Sequence, residues 1–461
     1  IGHLRGDEKG EVALGEKNLV ITNGDGSEYK GTIGGTGGFT VETGKQILSG
    51  ENTYTGDTNI WPTAELQLGN DDKAGSITSN VINEGILSGN GSMKDLLNKG
   101  TVSPGTDTSF GTLIVNGNYT SENGKLILHE ELGGDASQGD RLVIAGNTSG
   151  TTEVTVINRG GLGAQTNNGI KVIEVGGQSD GVFNLNGDYV NYRGNQAVVA
   201  GAYAYTLEKG GVSNPDGNWY LRSEGKDKQS EPEYQAGVPV YGGAASGVAM
   251  INRGGFASFG TRMNAGGGNA NADSDGSQSN GKNDGSMFRE NYFWGRVQGG
   301  SSTFKPNGSA TGGSFGTQDW TIQTGLDGQF IDDASGQLFG SVWLDYTRSK
   351  IRSRSDYGNG SVDVNGYGLG AALTWYGANG FYLDGQGKAT WYKSDFESDR
   401  LSDALASGVK SLGYALSLEA GQRLAIDNQW SVTPQAQLIW SSLNTDSYHD
   451  VFGARVETPD N

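Results

Sequence analysis

The chain of 461 residues is long enough for two or three domains. Because it contains no Cys, disulfide scaffolds, thiol catalysis and thiolate metal sites are all excluded. No window approaches the roughly 18 uninterrupted apolar residues that a membrane-spanning helix requires, so helical membrane spans are excluded as well. The net charge of -19 would repel phosphate backbones, and the Lys and Arg residues are scattered, so nucleic acid is not an expected partner.

The amino-terminal part of the sequence consists of short apolar runs between Gly and Asn turns. Their spacing is irregular but lies near the roughly 20 residues expected of one coil in a parallel β-helix. Such short runs cannot form independent hairpins, whereas stacking each run on the next buries its apolar side. The regular Val, Ile and Leu content argues against the alternative of a Gly-rich disordered stalk. The runs are residues 19–22, 39–41, 60, 81–87, 101–102 and 113–115.

Two regions of this half resemble the passenger domains of autotransporters. Residues 48–58 and 65–69 are similar to the passenger repeat, although Trp61 and Pro62 stand where the repeat has small residues. Residues 111–223 resemble the pertactin-like autochaperone segment that caps such passengers. The matching motifs are VNGNY at 115–119, DRLVI at 140–144, GN at 146–147, GGLG at 160–163, GI at 169–170, GAYAY at 201–205 and NWYL at 218–221.

A physical argument for a cap is independent of this resemblance. Aromatic residues become denser toward the end of the region, so this end can bury larger side chains than the thin coils before it. A stacked array also needs such an end to close its exposed edge. We therefore predict β-helix passenger coils over residues 1–110 and an autochaperone cap over residues 111–225. The aromatic residues are Tyr189, Tyr192, Tyr203, Tyr205, Trp219 and Tyr220.

A linker is predicted over residues 226–285, because its charged start contains Pro232. Within it, residues 238–263 contain six Gly, which disfavours a helix and leaves a flexible tether as one interpretation. The resemblance implies instead that this segment forms a helix that threads the barrel. Arg253 and Arg262 would then be shielded and would meet carboxylates that face the lumen. The candidate carboxylates are Asp327, Asp345, Asp384 and Glu419.

Residues 264–285 are rich in Gly, Asn, Ser and Asp, which predicts a disordered loop. Several of these residues approach the spacing of a calcium-binding loop. Gln278 stands where the turn of such a loop requires Gly, so no metal site is predicted. The residues with this spacing are Asp273, Asp275, Ser277 and Asp284.

Residues 286–461 alternate apolar and polar side chains, a period of two that is typical of strands. The clearest stretch, residues 412–440, contains runs longer than the roughly 5 to 6 residues of an ordinary soluble strand. Trp430 and Trp440 bracket one apolar face where bilayer interfaces would lie. Short and long turns alternate, as periplasmic and external loops do. About seven strands are predicted, and together they indicate a transmembrane β-barrel.

Four motifs in this part resemble the barrel of AIDA-type autotransporters. The fold class that follows is all-β: a right-handed parallel β-helix passenger end, then a transmembrane antiparallel β-barrel that is incomplete in this chain. The motifs are YGLGAALTWY at 367–376, YLD at 382–384, LSLEAG at 416–421 and VTPQAQL at 432–438.

Both ends of the sequence indicate a fragment. The chain begins at Ile1 without a basic n-region or an apolar h-region, so we expect any targeting signal to lie upstream. It stops at Asn461 in a polar segment, whereas a bacterial barrel closes with an even number of strands, and the family barrel ends on an aromatic residue. We therefore expect a truncated barrel.

Motifs for chemistry are sparse. His3, His129 and His449 are widely separated, without carboxylate or metal spacing nearby, and are predicted to be surface residues. No nucleophile elbow, phosphate loop or zinc-helix signature occurs. We therefore predict no catalytic, cofactor-binding or metal-binding residue, and no cofactor. The integrin-type tripeptide Arg5-Gly6-Asp7 is a three-residue match that chance explains.

The resemblance implies a type V secretion protein of a Gram-negative outer membrane, whose barrel secretes and displays its own passenger on the cell surface. It implies a monomeric, non-enzymatic adhesin or virulence-related protein. The implied partners are outer-membrane lipid, the barrel assembly machinery, periplasmic chaperones, and host-cell or bacterial surface ligands. One alternative is an autotransporter enzyme, a protease, esterase or lipase, with catalytic residues upstream. A β-helix polysaccharide lyase is disfavoured, because the carboxylate and Arg clusters of such a cleft are not visible.

Overall fold

The computed structural model describes residues 1–213, 215–224, 231–256, 291–426 and 430–458. The chain divides into two compact units, Ile1–Gln235 and Ala236–Asn461. Strands dominate both units. Among the described residues, no helix is long and apolar enough to cross a membrane. The predicted disordered loop and the residues with calcium-loop spacing lie outside the described ranges.

The first unit is mainly a stack of parallel strands, each paired with strands one coil away along the chain. The strands of the stack are β1 (Glu11–Ala13), β2 (Leu19–Ile21), β3 (Gly24–Tyr29), β4 (Thr32–Gly34), β5 (Phe39–Leu48), β6 (Glu51–Asn52), β7 (Thr58–Leu68), β8 (Gly75–Ile77), β9 (Val81–Asn83), β10 (Ile86–Gly89), β11 (Gly91–Met93), β12 (Leu96–Asn98), β13 (Thr101–Pro104), β14 (Thr112–Val115), β15 (Tyr119–Glu130), β16 (Arg141–Ile144), β17 (Thr148–Asn158), β18 (Ile170–Val175) and β19 (Val182–Asn186). This arrangement confirms the predicted parallel β-helix.

An aliphatic ladder shows why such short strands are stable together. Six side chains from successive coils lie in register and are buried, so each one covers the next. Burying each side chain contributes about 1.5 to 3 kcal/mol, which no single coil could gain alone. The ladder consists of Leu66, Leu87, Val102, Leu126, Val154 and Leu185.

The corners of the coils depend on glycine at particular positions. Gly44 has a φ of 73°, and a Cβ added there would lie 2.0 Å from the backbone oxygen of Gly24 in the coil before. Only glycine allows both this backbone conformation and this approach. Trp61 and Pro62 remain within β7, opposite a shift of register between Val41 and Thr43 of β5, so this corner is a bulge between two strands.

The end of the first unit changes from parallel to antiparallel pairing. Here β23 pairs with both β18 and β22, and residues 231–235 return along β22, where Ala204 N donates to Glu233 O at 3.0 Å. Tyr205 and Trp219 are buried, as the aromatic density of the sequence predicted. These strands cover the open edge of the stack. They are β20 (Tyr189–Val190), β21 (Gln196–Ala200), β22 (Tyr203–Lys209) and β23 (Trp219–Arg222).

The second unit contains one helix, α1 (Val238–Arg253), within the described residues, and an antiparallel sheet whose strands pair in chain order. The sheet has seven strands, as predicted, and two short hairpins follow its later strands. The elements are β24 (Asn291–Phe304), β25 (Ser314–Asp333), β26 (Gly336–Arg354), β27 (Gly360–Gly377), β28 (Phe381–Ser398), β29 (Ala406–Gln422), β30 (Leu424–Ala425), β31 (Ser431–Val432), β32 (Gln435–Thr445), β33 (Tyr448–His449) and β34 (Arg455–Val456); the pairs β30–β31 and β33–β34 are the hairpins.

The two faces of this sheet differ in the way that the alternation predicted. On β29, Tyr414, Leu416 and Leu418 are about half exposed, whereas Ser417 and Glu419 are buried. The apolar parity therefore faces outward, and the polar parity faces inward. A sheet with an apolar outer face and a polar inner face fits a transmembrane β-barrel.

Candidate functional site on the inner face of the seven-stranded sheet

The helix α1 packs against the inner, polar face of the sheet. It contacts β25, β26, β27, β28, β29 and β32, and a straight helix can touch six strands only if the sheet curves around it. Its intrinsic propensity is poor, since it contains Gly242, Gly243 and Gly247. Packing against the sheet therefore stabilises a helix that its own sequence disfavours.

The glycines of α1 allow the helix to approach the strands closely. A Cβ on Gly243 would lie 2.0 Å from Ser353 Oγ, and one on Gly247 would lie 2.6 Å from Ile351 Cδ1. Neither position could carry a side chain without moving β26. Small side chains were predicted to suit this segment, and these close contacts give the physical reason.

The first half of α1 lies in an apolar cluster. Tyr241 continues this cluster toward the β33–β34 hairpin, where its ring lies 6.1 Å from that of Tyr448 and its hydroxyl donates to Asp450 Oδ2 at 3.0 Å. This half is therefore held mainly by burial of apolar surface. The buried members of the cluster are Val240, Ala244, Val248, Phe315, Ile351, Val362, Val364, Tyr392, Phe396, Leu405 and Val409.

Val248 and the partly buried Ile251 continue the apolar packing into the second half of α1, which also makes polar contacts through Asn252. This side chain is fully buried, and its Nδ2 donates to the backbone oxygens of Tyr414 at 3.1 Å and Ser442 at 3.0 Å. Tyr392 donates its hydroxyl to Asn252 Oδ1 at 3.4 Å. The sequence analysis missed Asn252, because the only signal was one amide residue in a segment of small side chains.

The predicted partners of Arg253 are wrong. Arg253 is exposed rather than shielded, and its Nε donates to Ser441 Oγ at 3.1 Å instead of to a carboxylate. The helix ends at this residue, so its side chain leaves the row that faces the carboxylates. The other predicted cation, Arg262, lies outside the described residues.

The four candidate carboxylates do lie on the inner face, where other groups of the sheet bind them. Asp345, Asp384 and Glu419 are buried, and Asp327 is half-buried. Asp384 accepts from Gln386 Nε2 at 2.8 Å, Glu419 accepts from the Tyr382 hydroxyl at 2.6 Å, and Asp327 accepts from Trp294 Nε1 at 2.8 Å. Asp345 interacts electrostatically with Lys388 and Arg296, the cations that the sequence analysis missed.

The histidine prediction is wrong for His129. Its ring is only 17% exposed, and its Nδ1 lies 2.9 Å from Oδ2 of the fully buried Asp140. The two residues are eleven positions apart in the sequence, and the turn between β15 and β16 brings them together. Burial raises the pKa of Asp140, although hydrogen bonds from His129 act in the opposite direction. His3 and His449 are exposed, as predicted.

The remaining candidates carry no chemistry that the described residues support. Among those residues, no group of three or more His, Asp or Glu side chains is placed to hold a metal ion. Arg5 and Asp7 are exposed, but Gly6 between them is paired through its backbone with Tyr29 of β3. The backbone of the tripeptide is thus joined to the strand stack at Gly6.

Two family models match the chain, each over one part of it. The model described as Autotransporter beta-domain matches residues 293–460. The model described as Autochaperone Domain Type 1 matches residues 91–207. These matches cover the seven-stranded sheet and the later coils of the strand stack, respectively.

Curated relatives are similar along most of the chain. The adhesin BmaC autotransporter of Brucella suis biovar 1 (strain 1330) is 40% identical over 457 residues, which are 96% of this chain and 13% of the relative. The uncharacterized protein YdeU of Escherichia coli (strain K12) is 31% identical over 366 residues, 75% of each chain. The autotransporter adhesin AIDA-I of Escherichia coli is 27% identical over 371 residues, 76% of this chain and 26% of the relative. The chain thus spans only a small part of BmaC and about a quarter of AIDA-I.

Proposed function

This chain belongs to the autotransporter family. We therefore propose that its seven-stranded sheet is part of a translocator barrel in the outer membrane. We also propose that its first unit is part of the passenger, which is displayed at the cell surface. The observation that carries this proposal is the division of the sheet into an apolar outer face and a polar inner face. Lipid would solvate the outer face, and the inner face would line a polar route for the chain. The work of the protein is then secretion and display of its own passenger.

The segment 238–263 is proposed to thread the barrel. Its described part, α1, lies against the inner face of six strands, and its glycines fit a narrow space. The lumen is the only polar route across the membrane from the barrel to a passenger outside, because lipid cannot satisfy the backbone groups of an irregular segment. A tether that ran outside the barrel would not need the close contacts of Gly243 and Gly247.

The remaining division of the chain is proposed along the same lines. Residues 1–110 are passenger coils, residues 111–225 are the autochaperone cap, residues 226–285 are the linker, and residues 286–461 belong to the barrel. The cap would let the passenger fold outside the cell, and folding there would help to draw the chain outward. Barrel assembly machinery and periplasmic chaperones are the proposed partners for insertion.

The whole protein is proposed to be a non-enzymatic adhesin that binds a host-cell or bacterial surface. Support comes from the names of BmaC and AIDA-I, both of which are called adhesins. The strand stack favours a binding role as well, because an array of short parallel strands offers a long, regular surface. The alternative is an autotransporter protease or esterase whose catalytic residues lie upstream of Ile1.

The barrel proposal is tested by placing a charge on the outer face. Leu418→Arg should lower insertion into the outer membrane, because an Arg near the bilayer midplane costs about 2 to 4 kcal/mol. The amount of heat-modifiable barrel in outer-membrane fractions measures this loss. Leu418→Phe is the control, since it changes the size of the side chain but keeps the face apolar. Equal insertion of the two variants would contradict a lipid-facing position for Leu418.

A further inference from the structure

Three side chains from three strands converge on the backbone just beyond α1. Lys388 Nζ of β28 donates to Gly254 O. Arg296 Nη2 of β24 and Gln323 Nε2 of β25 donate to Gly255 O, at 2.8 and 3.2 Å. Gly254 and Gly255 follow Arg253, the last residue of α1, so their carbonyl oxygens have no partner within the helix. The sheet therefore supplies donors at the point where the chain leaves α1.

Two of these donors are buried, and Arg296 is half-buried. Gln323 is 3% exposed and Lys388 is 9% exposed. The buried Asp345 attracts both Lys388 and Arg296 electrostatically. Lys388 Nζ also lies 5.3 Å from the ring centroid of Phe256, the residue after the two carbonyls.

The backbone that the donors meet can be formed only by glycine at its second position. Gly255 has a φ of 86°, in the left-handed region that other residues rarely adopt. A Cβ at this position would also lie 3.2 Å from Lys388 Nζ. The backbone conformation at Gly255 therefore directs its carbonyl oxygen toward the donors of Arg296 and Gln323.

We propose that Lys388, Arg296 and Gln323 form a carbonyl clamp, which fixes the place in the barrel at which the tether stops once α1 has formed. The proposal rests on the proposed location of α1 in the lumen. The clamp binds backbone oxygens, so it needs no particular side chain beyond the glycine that the conformation of residue 255 favours. The apolar first half of α1 supplies affinity for the barrel, and the clamp fixes the final turn. The three side chains are positioning residues.

The test measures hydrogen exchange in the purified chain in detergent micelles. Lys388→Met removes one donor and keeps much of the volume of the side chain. Exchange at residues 250–255 should become about tenfold faster, as expected for the loss of a charge-assisted hydrogen bond. Exchange at residues 240–248, and in β26 and β27, should stay unchanged. Lys393→Met is the control, because Lys393 lies on the same strand but on the exposed face.

A second variant separates the clamp from the stability of the barrel. Gly255→Ala leaves every donor in place but strains the backbone that the clamp binds, so it should accelerate the same amides as Lys388→Met. Unchanged exchange at 250–255 in both variants, with α1 protected in the parent chain, would overturn the clamp alone. Equal acceleration in α1 and in the strands would also overturn it, because Lys388 would then merely support the sheet. An unprotected α1 in the parent chain would overturn the lumen location itself, and the clamp with it.

Discussion

Glu130, at the end of β15, is fully buried although it is a carboxylate. Arg141 Nη1 donates to both of its oxygens, at 3.1 and 3.2 Å. Burial raises the pKa of Glu130 to about 8, and the attraction of Arg141 only partly opposes this shift. At the residue scale, the cap region thus holds an acid that is more stable with its proton than without it.

The raised pKa of Glu130 predicts how the stability of the first unit depends on pH. The folded state keeps the proton that the unfolded state releases above its ordinary pKa of 4.5. The contribution is therefore full below about pH 4.5 and is lost as the pH rises toward about 8. Glu130→Gln should remove this part of the pH dependence. The measurement is the urea midpoint at which β15 and β16 lose protection from a hydrogen-exchange pulse, at pH values from 5 to about 8.

Glu131→Gln is the matched control, because Glu131 is the next residue and is exposed. It should leave the pH profile of the parent chain unchanged. If Glu130→Gln and Glu131→Gln gave the same profile, the pH dependence would come from other buried acids. One such acid is Glu233, whose pKa burial raises to about 7.

At the element scale, β16 shows how the coils and the cap depend on one another. Leu142 of β16 is fully buried and lies in register between Leu113 of β14 and Ile173 of β18. The next strand in this sheet, β23, pairs with β18 in the antiparallel sense. Leu142 therefore connects the parallel coils to the strands that close their edge. A substitution that disrupts the packing of Leu142 should therefore destabilise both the parallel coils and the antiparallel strands that close their edge.

Leu142→Asp should lower the amount of protease-resistant passenger on the cell surface and leave barrel insertion intact. The variant loses about 2 to 3 kcal/mol of apolar burial and must also place a carboxylate in the core. Protease digestion of intact cells, followed by detection of the passenger, measures the effect. Val143→Asp is the control, since Val143 is only half-buried on the outer side of the same strand. Equal protease resistance of the two variants would count against the proposal that the cap lets the passenger fold outside the cell.

At the scale of the whole molecule, the two units differ in how their β-sheets are covered. The strand stack covers its last coil with antiparallel strands and with the returning residues 231–235. The seven-stranded sheet curves around α1, which fills its inner face. Each unit buries apolar side chains of its own: among the described residues, one cluster lies in the first unit and two lie in the second.

The lumen location of α1 predicts the reactivity of a Cys placed on its buried face. Val248 is 5% exposed, and the chain has no other Cys. Val248→Cys should react slowly with a bulky maleimide in native outer-membrane vesicles and rapidly after denaturation. Glu16→Cys is the control, because Glu16 is exposed in the first unit and should react rapidly in both states. Rapid native labelling at position 248 would leave the flexible tether as the better account.

The sequence by itself determined the kinds of element, because burial of one face imposes a period that can be counted. The outward parity of Leu416 and Leu418 followed from alternation, and the strand stack followed from short runs that cannot be stable alone. The inward location of Asp345, Asp384 and Glu419 followed from the same alternation. These features depend only on which side of a strand a residue occupies.

The tertiary structure alone decided which side chains meet. Propensity argued against a helix over residues 238–253, and close packing of glycines against β26 overrides it. Arg253 was expected to meet the carboxylates, whereas Lys388 of β28 and Arg296 of β24 are the cations that attract Asp345. His129 and Asp140 meet because one turn folds back between their strands. Periodicity assigns a residue to a face, but partners across that face depend on register and on the curvature of the sheet, which arise only when the strands pair.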